Sequence, residues 1–538
     1  MILDVRDVGT DPPPVDLCIV GGGPAGLTLA AALSHTGMQI LLLEGGSHQT
    51  NGAAQELYRG EVTGNHPSAH EYRVRALGGS SKTWGGGCVP LDPIDFVDRD
   101  WAPGGRWPLG YDEMRRYYRR ALVAAEAGRC EFSAPSPLIP GVDGASFCTR
   151  LERFSRPTDF WKRWQSVLRS SRTVRVVVNA SAIEIRLTAG GNRVDHIVGA
   201  APDGRRFQVR ACAFVLCVGG LETARLLLAS RSQVACGVGN QNDWVGRGYM
   251  CHTAGIGGAA TFTVPPQAIG FGHHRDADGI YCRRRLLLSE VAQRQHRTLN
   301  LAFRLRTPDP SDASHGDAVL SALHLGEKFL RNDNKHGESD RPDTLAHLTN
   351  LACKPLRLIS AAGTFVRERL ICRRRAPSFS FRPLYNRYAV EFHGEQAVNP
   401  ESRVMLGGSR DRFDMPRLRI DWRLSAIDVE TVVRGFGLLA RRMTEARVGR
   451  LDYSEDELPE IVKQAGAYGG HHIGTARMSA LPKDGVVDPN GAVHGIGNLY
   501  VTGSAIMPTS GQANPTLTIL ALTYRLAAHL GEHFSHLL

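Results

Sequence analysis

The stretch Asp16-Leu-Cys-Ile-Val-Gly-Gly-Gly-Pro-Ala-Gly26 decides how this chain folds. Leu17 to Val20 is a short apolar run, suited to a central parallel strand. Gly21 permits a tight turn, Gly23 lets backbone approach a pyrophosphate, and Gly26 lets the next helix lie close to the strand. Pro24 and Ala25 belong to the same turn. An Ala/Leu-rich helix is predicted from Leu27 to Ser34, with the positive end of its dipole toward the phosphates. A second strand, Gln39-Ile-Leu-Leu-Leu-Glu44, ends in a carboxylate eighteen residues after Gly26. That is close to the spacing of a residue that binds ribose hydroxyls. Strand, glycine turn, helix, strand and Glu in this order predict a dinucleotide site. The alternative is a tight turn in an ordinary α/β domain.

The chain has 538 residues, enough for two lobes, with 42% hydrophobic and 22% charged residues. No apolar run approaches the roughly 18 residues needed to span a bilayer. The first fourteen residues lack a basic leader and an apolar core, so a cytoplasmic location is expected. The eleven cysteines include no CxxC pair. Neither a disulfide framework nor a metal site is expected. The net charge of +11 comes mainly from arginine, concentrated between Arg357 and Arg375, including Arg367, Arg369 and Arg373-Arg-Arg375. This stretch reads as a solvated basic face. Its functional alternative is a docking face for an anionic membrane or partner protein. No nucleic-acid motif is present.

The α/β character of the first 45 residues returns at 173–229. Strands are predicted at Val174–Val178, Ala182–Leu187, Phe207–Val209 and Phe214–Val218, the last followed by Gly219-Gly220 and a helix over Leu221–Leu228. Between about 256 and 450, short alternating segments such as Thr298–Leu305 and Tyr388–Phe392 predict antiparallel strands. Asn332–Pro342 is polar and predicts a loop, and Val429–Ala446 has helical periodicity. The final helix is expected from about Thr516 to His533, after Asn514-Pro515. These boundaries divide the chain into a first cofactor segment (1–255), a substrate domain (256–450) and a returning cofactor segment (451–538).

Four stretches together carry a resemblance: Gly21–Gly26 with Glu44; Leu77-Gly-Gly-Ser-Ser-Lys-Thr-Trp-Gly85; Gly219–Leu228; and the run from His471 through Asn498-Leu-Tyr-Val-Thr-Gly-Ser504 to Asn514-Pro515-Thr516. Their order resembles that of the glucose-methanol-choline (GMC) oxidoreductases, and most nearly the pyranose oxidase and glycoside 3-oxidase branch. Asn399–Leu406 also fits. The resemblance implies a Rossmann-type FAD-binding domain with a sheet-based substrate domain, a two-lobed α/β architecture like that of p-hydroxybenzoate hydroxylase. It implies FAD, held by Gly78, Gly79, Ser80, Ser81, Thr83, Trp84, Gly219, Gly503, Ser504, Asn514, Pro515 and Thr516 besides the first motif. The branch carries a histidine covalently joined to flavin where this chain has Thr83, so noncovalent FAD is expected. Many family members have an Asp where this chain has Gly503, which the pyranose oxidase-like proteins share.

The resemblance places the catalytic base on His471, with His472 as runner-up, and its partner on Asn514. An alcohol yields hydride poorly while its hydroxyl proton is attached. A neutral imidazole accepts that proton, and hydride passes to flavin N5. Asn514 then donates a hydrogen bond to the developing alkoxide. The alternative reading makes the two histidines a structural loop pair and Asn514 a helix cap. His252 is read as a structural or outer-shell residue, while His393 and Gln396 are candidate substrate contacts. The expected substrate is a sugar or glycoside hydroxyl, oxidised to a carbonyl. The expected acceptor is oxygen, a quinone or a partner protein. Oxidation of a non-sugar alcohol, a redox-neutral lyase on the same fold and a nicotinamide-dependent reductase are the competing readings.

Overall fold

The computed structural model describes residues 1–330, 341–367, 371–372, 374 and 376–535. At its centre lies a six-stranded, all-parallel sheet in the order Ile2–Asp4, Val174–Val178, Ile40–Leu43, Val15–Val20, Ala211–Leu216, Leu499–Val501. Its inner strands are apolar runs, broken only by Asp16 and Arg175, because both faces are covered. Helices Pro24–Leu33 and Thr516–Ser535 pack on each other, and helices Tyr111–Ala124 and Phe160–Ser170 pack beside them. The antiparallel sheet Ser181–Leu187, Val194–Ala200, Arg206–Val209 completes this lobe. The fold is α/β, as expected.

An eight-stranded sheet forms the second lobe. Its main path runs Gly449–Asp452, Thr253–Phe262, Arg387–Gly394, Leu301–Arg306, Tyr281–Leu288, Phe147–Phe154, Gly87–Cys88. Alternation separates its faces: Leu301, Phe303 and Leu305 join Tyr388, Val390 and Phe392 in an apolar core under helix Ala426–Glu445. Phe436 of that helix is fully buried, edge-on to Phe303 at 5.2 Å. Truncating it to Ala costs about 3–5 kcal/mol.

Two segments depart from the sequence-based boundaries. Gly87–Cys88 and Phe147–Phe154, assigned to the first cofactor segment, belong to the eight-stranded sheet. Arg403–Arg410 and Pro416–Asp421, assigned to the substrate domain, pair with Gly60–Thr63, and Val404, Leu418 and Ile420 are buried in the cofactor lobe's core. Long-range pairing, not chain position, sets both. Most of the loop expected at Asn332–Pro342 lies outside the described residues; Arg341 and Pro342 already open the helix Arg341–Cys353, where proline suits the first turn. Arg369, Arg373 and Arg375 also lie outside the described residues.

Candidate active site

A cavity of about 730 Å³ lies between the lobes. Three helix N-termini reach it, at Pro24, Gly219 and Thr516, so three positive dipole ends meet there. At the first turn, Gly21 has φ +107°, and a Cβ there would sit 2.6 Å from the Cys217 carbonyl oxygen. A Cβ on Gly26 would lie 1.9 Å from the Gly21 oxygen, which is why helix and strand approach so closely. Gly23 differs: a Cβ there meets nothing within 4 Å, and the same holds for Gly219 and Gly503. All three line the cavity. They form a backbone-walled cradle that side chains would fill, as a dinucleotide requires.

Glu44 stands at the strand end, buried, and its carboxylate accepts N–H bonds from Gly22 (2.8 Å) and Gly46 (2.7 Å). Two backbone donors thus fix it at the cavity wall. Around this end gather residues that the sequence reading missed. Arg73 and Arg75 flank the Tyr58 ring at 3.7 and 5.2 Å, and Arg73 bonds Glu222 at 2.8 Å. Burial works to raise the Glu222 carboxyl, but Arg225, Arg73 and Arg75 outweigh it and hold it at about 2. Arg73 and Arg75 directly precede the Leu77–Gly85 loop, the one sequence signal that pointed to them.

That loop is stitched to the first turn. Gly78 N–H donates to the Gly22 carbonyl at 2.8 Å, and Ser81 Oγ donates to Gly78 O while accepting from Phe160 N–H. Gly79, Ser80, Ser81, Thr83 and Trp84 line the cavity, as do Gly21, Pro24, Ala25, Ser504, Asn514, Pro515 and Thr516. Gly78 and Gly26 do not line it; they shape the turns behind it.

His471 and His472 line the same cavity. An antiparallel bridge places the first of them. Met250 and Ile473 exchange both backbone hydrogen bonds at 3.0 Å, which sets residue 252 opposite residue 471. The two rings meet through their Nδ1 atoms, 2.8 Å apart. The tautomers follow from the partners. His252 Nε2 faces the Ser510 carbonyl at 3.3 Å and therefore carries the proton. Its Nδ1 is then an acceptor, and His471 Nδ1–H is the donor. The His471 Nε2 is left without a proton and, among the described residues, without a hydrogen-bond partner. Burial, followed by the charges of His472, Arg304 and Arg285, pushes His471 down to about 3, so the ring is neutral at ordinary pH. Burial likewise holds His252, His393 and His472 well below the usual histidine value.

His393 is fully buried and does not line the cavity. It donates from Nδ1 to the Gln512 carbonyl at 2.9 Å and stacks on His252 at 4.6 Å. The nitrogens of His252, His393 and His471 lie within 4.8 Å of one another, a donor set that a zinc-like ion accepts. The 2.8 Å contact of His252 with His471 and the carbonyls at His252 Nε2 and His393 Nδ1 match neutral, hydrogen-bonded rings, while His393 Nε2 has no partner among the described residues. Gln396, expected to reach a substrate hydroxyl, is committed elsewhere. Its oxygen accepts from Cys251 N–H and Trp422 Nε1–H, and its amide donates to the Arg423 carbonyl. It is buried away from the cavity, so it has neither a free atom nor access. His472 packs against His66 and Tyr249 at 6.1 and 6.3 Å. The Asn514 amide oxygen is buried with no partner among the described residues, an acceptor facing no protein donor. The cradle and this orphaned acceptor both fit a flavin dinucleotide.

Comparison with known proteins agrees. Residues 16–323 match the FAD dependent oxidoreductase family, and residues 399–523 match the GMC oxidoreductase family. The fructose dehydrogenase large subunit of Gluconobacter japonicus is 22% identical over 95% of this chain and 97% of its own. A C-glycoside 3-oxidase of Microbacterium trichothecenolyticum is 30% identical over 23% of each chain. The crystal structure of pyridoxine 4-oxidase from Mesorbium loti superposes with a TM-score of 0.54 at 18% identity, covering 96% of this chain and 99% of that one. The chain therefore belongs to the FAD-dependent oxidoreductases of the GMC family, enzymes that act on CH–OH groups.

Proposed function

We propose that this enzyme oxidises a sugar or glycoside hydroxyl to a carbonyl, with His471 as base and Asn514 as the hydrogen-bonding partner of the developing alkoxide. One observation carries the reading. His471 presents an unprotonated Nε2 at the wall of the cavity that Gly23, Gly219 and Gly503 also line, and Asn514 lines it too. The residues that would hold FAD are the first glycine turn, Glu44, the Gly79–Trp84 loop and the segment from Gly503 to Thr516. Bound there, FAD supplies the hydride acceptor. The chain's own residues remove the hydroxyl proton at His471 Nε2 and steady the oxygen at Asn514. A side-chain hydroxyl at Thr83 offers no histidyl link, which supports noncovalent FAD. The sugar assignment draws on the fructose dehydrogenase subunit and the C-glycoside 3-oxidase among the relatives.

The test is anaerobic. Purified, yellow protein is mixed with a panel of monosaccharides and glycosides, and flavin absorbance is followed. Bleaching by one sugar class is the expected result. Bleaching by dithionite but by no sugar would sink the sugar reading, and bleaching by simple alcohols alone would replace it.

A further inference from the structure

Strands Leu301–Arg306 and Arg387–Gly394 are neighbours in the eight-stranded sheet, yet a three-helix unit is inserted between them in the chain. It comprises Ala318–Leu330, Arg341–Cys353 and Pro355–Val366, which pack on one another. The apolar core that holds it is thin. Helix Ala318–Leu330 buries only Ala318, Val319, Leu320 and Ser321, and helix Pro355–Val366 buries none of its residues. About one turn beyond Ser321 stands His324. Across from it, on Arg341–Cys353, Asp343 and His347 are four residues apart and so share one helix face. The His324 and His347 rings are 4.5 Å apart. Each of the three residues offers one ligand atom, and these atoms lie within 4.8 Å of one another.

The distances suit a small ion. Zinc holds imidazole nitrogen at about 2.0–2.1 Å and carboxylate oxygen at about 2.0–2.2 Å in a tetrahedron, so its ligand atoms stand about 3.3–3.5 Å apart. His347 Nε2 lies 3.7 Å from Asp343 Oδ1 and 3.2 Å from the Ser311 carbonyl oxygen. The surroundings also provide for the tautomer the ion needs. His347 is fully buried, and its Nδ1 faces Ser321 Oγ at 3.0 Å. That hydroxyl accepts from the Asn350 amide at 3.2 Å. Its second lone pair can take the Nδ1 proton, which leaves Nε2 free to ligate. Among the described residues His324 has no hydrogen bond to give up, and Asp343 pairs only with His347. The active-site trio of His252, His393 and His471 offers imidazoles alone. Here a half-exposed carboxylate offsets part of the ion's charge and leaves it a way in. No sequence spacing announces the set, because its third member comes from a different helix. We propose that His324, Asp343 and His347, with the Ser311 carbonyl, bind a zinc ion that clamps helices Ala318–Leu330 and Arg341–Cys353 together.

The experiment uses the full chain loaded with FAD, treated with a chelator, dialysed and titrated with zinc chloride by isothermal calorimetry. One zinc ion should bind per chain, with a dissociation constant in the micromolar range or below. His324→Ala and Asp343→Asn should each weaken binding by at least ~10-fold. Neither side chain is buried, so flavin content should stay unchanged. His471→Ala should bind zinc as the wild type does, which separates this site from the active-site histidines. Zinc should raise the thermal midpoint of the wild type and of His471→Ala, and of neither site variant. Wild-type protein that takes up no zinc, or takes it up only at millimolar concentration, overturns the proposal. So does binding that survives both site variants, or binding that His471→Ala abolishes.

Discussion

His252 and His471 are joined Nδ1 to Nδ1 at 2.8 Å, and the backbone pairing of Met250 with Ile473 holds that spacing. In the proposed reaction His252 then acts through His471, as a positioning group. In His252→Ala the His471 ring loses its fixed tautomer, and sugar-driven flavin reduction should slow by about 10²-fold, the lower range for a general base. Dithionite bleaching should be unaffected. Nitrogen chemical shifts of labelled histidine, read without substrate, should report Nδ1–H on His471 and lose that signature in the variant. An Nε2–H signature in the wild type would remove the role.

His471→Ala should lower the rate of flavin reduction by about 10²–10⁴-fold. Asn514→Ala should lower it by about 10²–10³-fold through lost alkoxide stabilisation. Stopped-flow absorbance under anaerobic conditions measures both. If His472→Ala proves the more damaging of the two histidine variants, the base has been assigned to the wrong ring.

Gly23→Ala is a cofactor test that spares the fold. The added methyl meets no protein atom within 4 Å, but it stands in the cradle. Overpacking against a bound dinucleotide costs about 1–3 kcal/mol, or about 5–150-fold in FAD affinity. Flavin content after purification and titration of the apoprotein would show it. By contrast, Gly26→Ala drives a methyl into the Gly21 carbonyl and should unfold the turn.

The pH dependence has a definite sign. His471 falls to about 3 and His273 to about 4 from an ordinary 6.5, with burial as the main cause. Between those values and 6.5 the unfolded chain binds more protons than the folded one, so stability rises with pH across that window and levels off above it. Thermal midpoints should fall steadily on acidification from pH 6.5 to 4. Over pH 5 to 8 the base stays neutral, and the rate of flavin reduction should be flat. A rate that halves near pH 6.5 would indicate a solvated imidazole instead.

The cofactor lobe was legible because its glycines answer a backbone demand that no other residue meets. Gly21, at positive φ, and Gly26, packed on the Gly21 carbonyl, could be placed by spacing alone. Helix Ala426–Glu445 was legible from its apolar stripe. The strand Phe147–Phe154 was not, since its partner Tyr281–Leu288 lies far along the chain and nothing local announces the pairing. Gln396 looked free to bind substrate because sequence does not show that Trp422 and Cys251 already occupy it. The link between His252 and His471 was hidden likewise, for it depends on a register set across a sequence separation of 219.

The strand Leu499–Val501 completes the parallel sheet in which Val15–Val20 leads into the first glycine turn. A ribosome making about 5–20 residues per second needs roughly half a minute to a minute and a half to travel from one to the other. Throughout that interval the first glycine turn is finished but lacks the wall that His471, Gly503 and Asn514 provide. Productive capture of the coenzyme must therefore be a late event in the life of each new molecule, and the emerging half-built sheet, with an apolar edge at Ala211–Leu216, is the form most in need of protection from its neighbours.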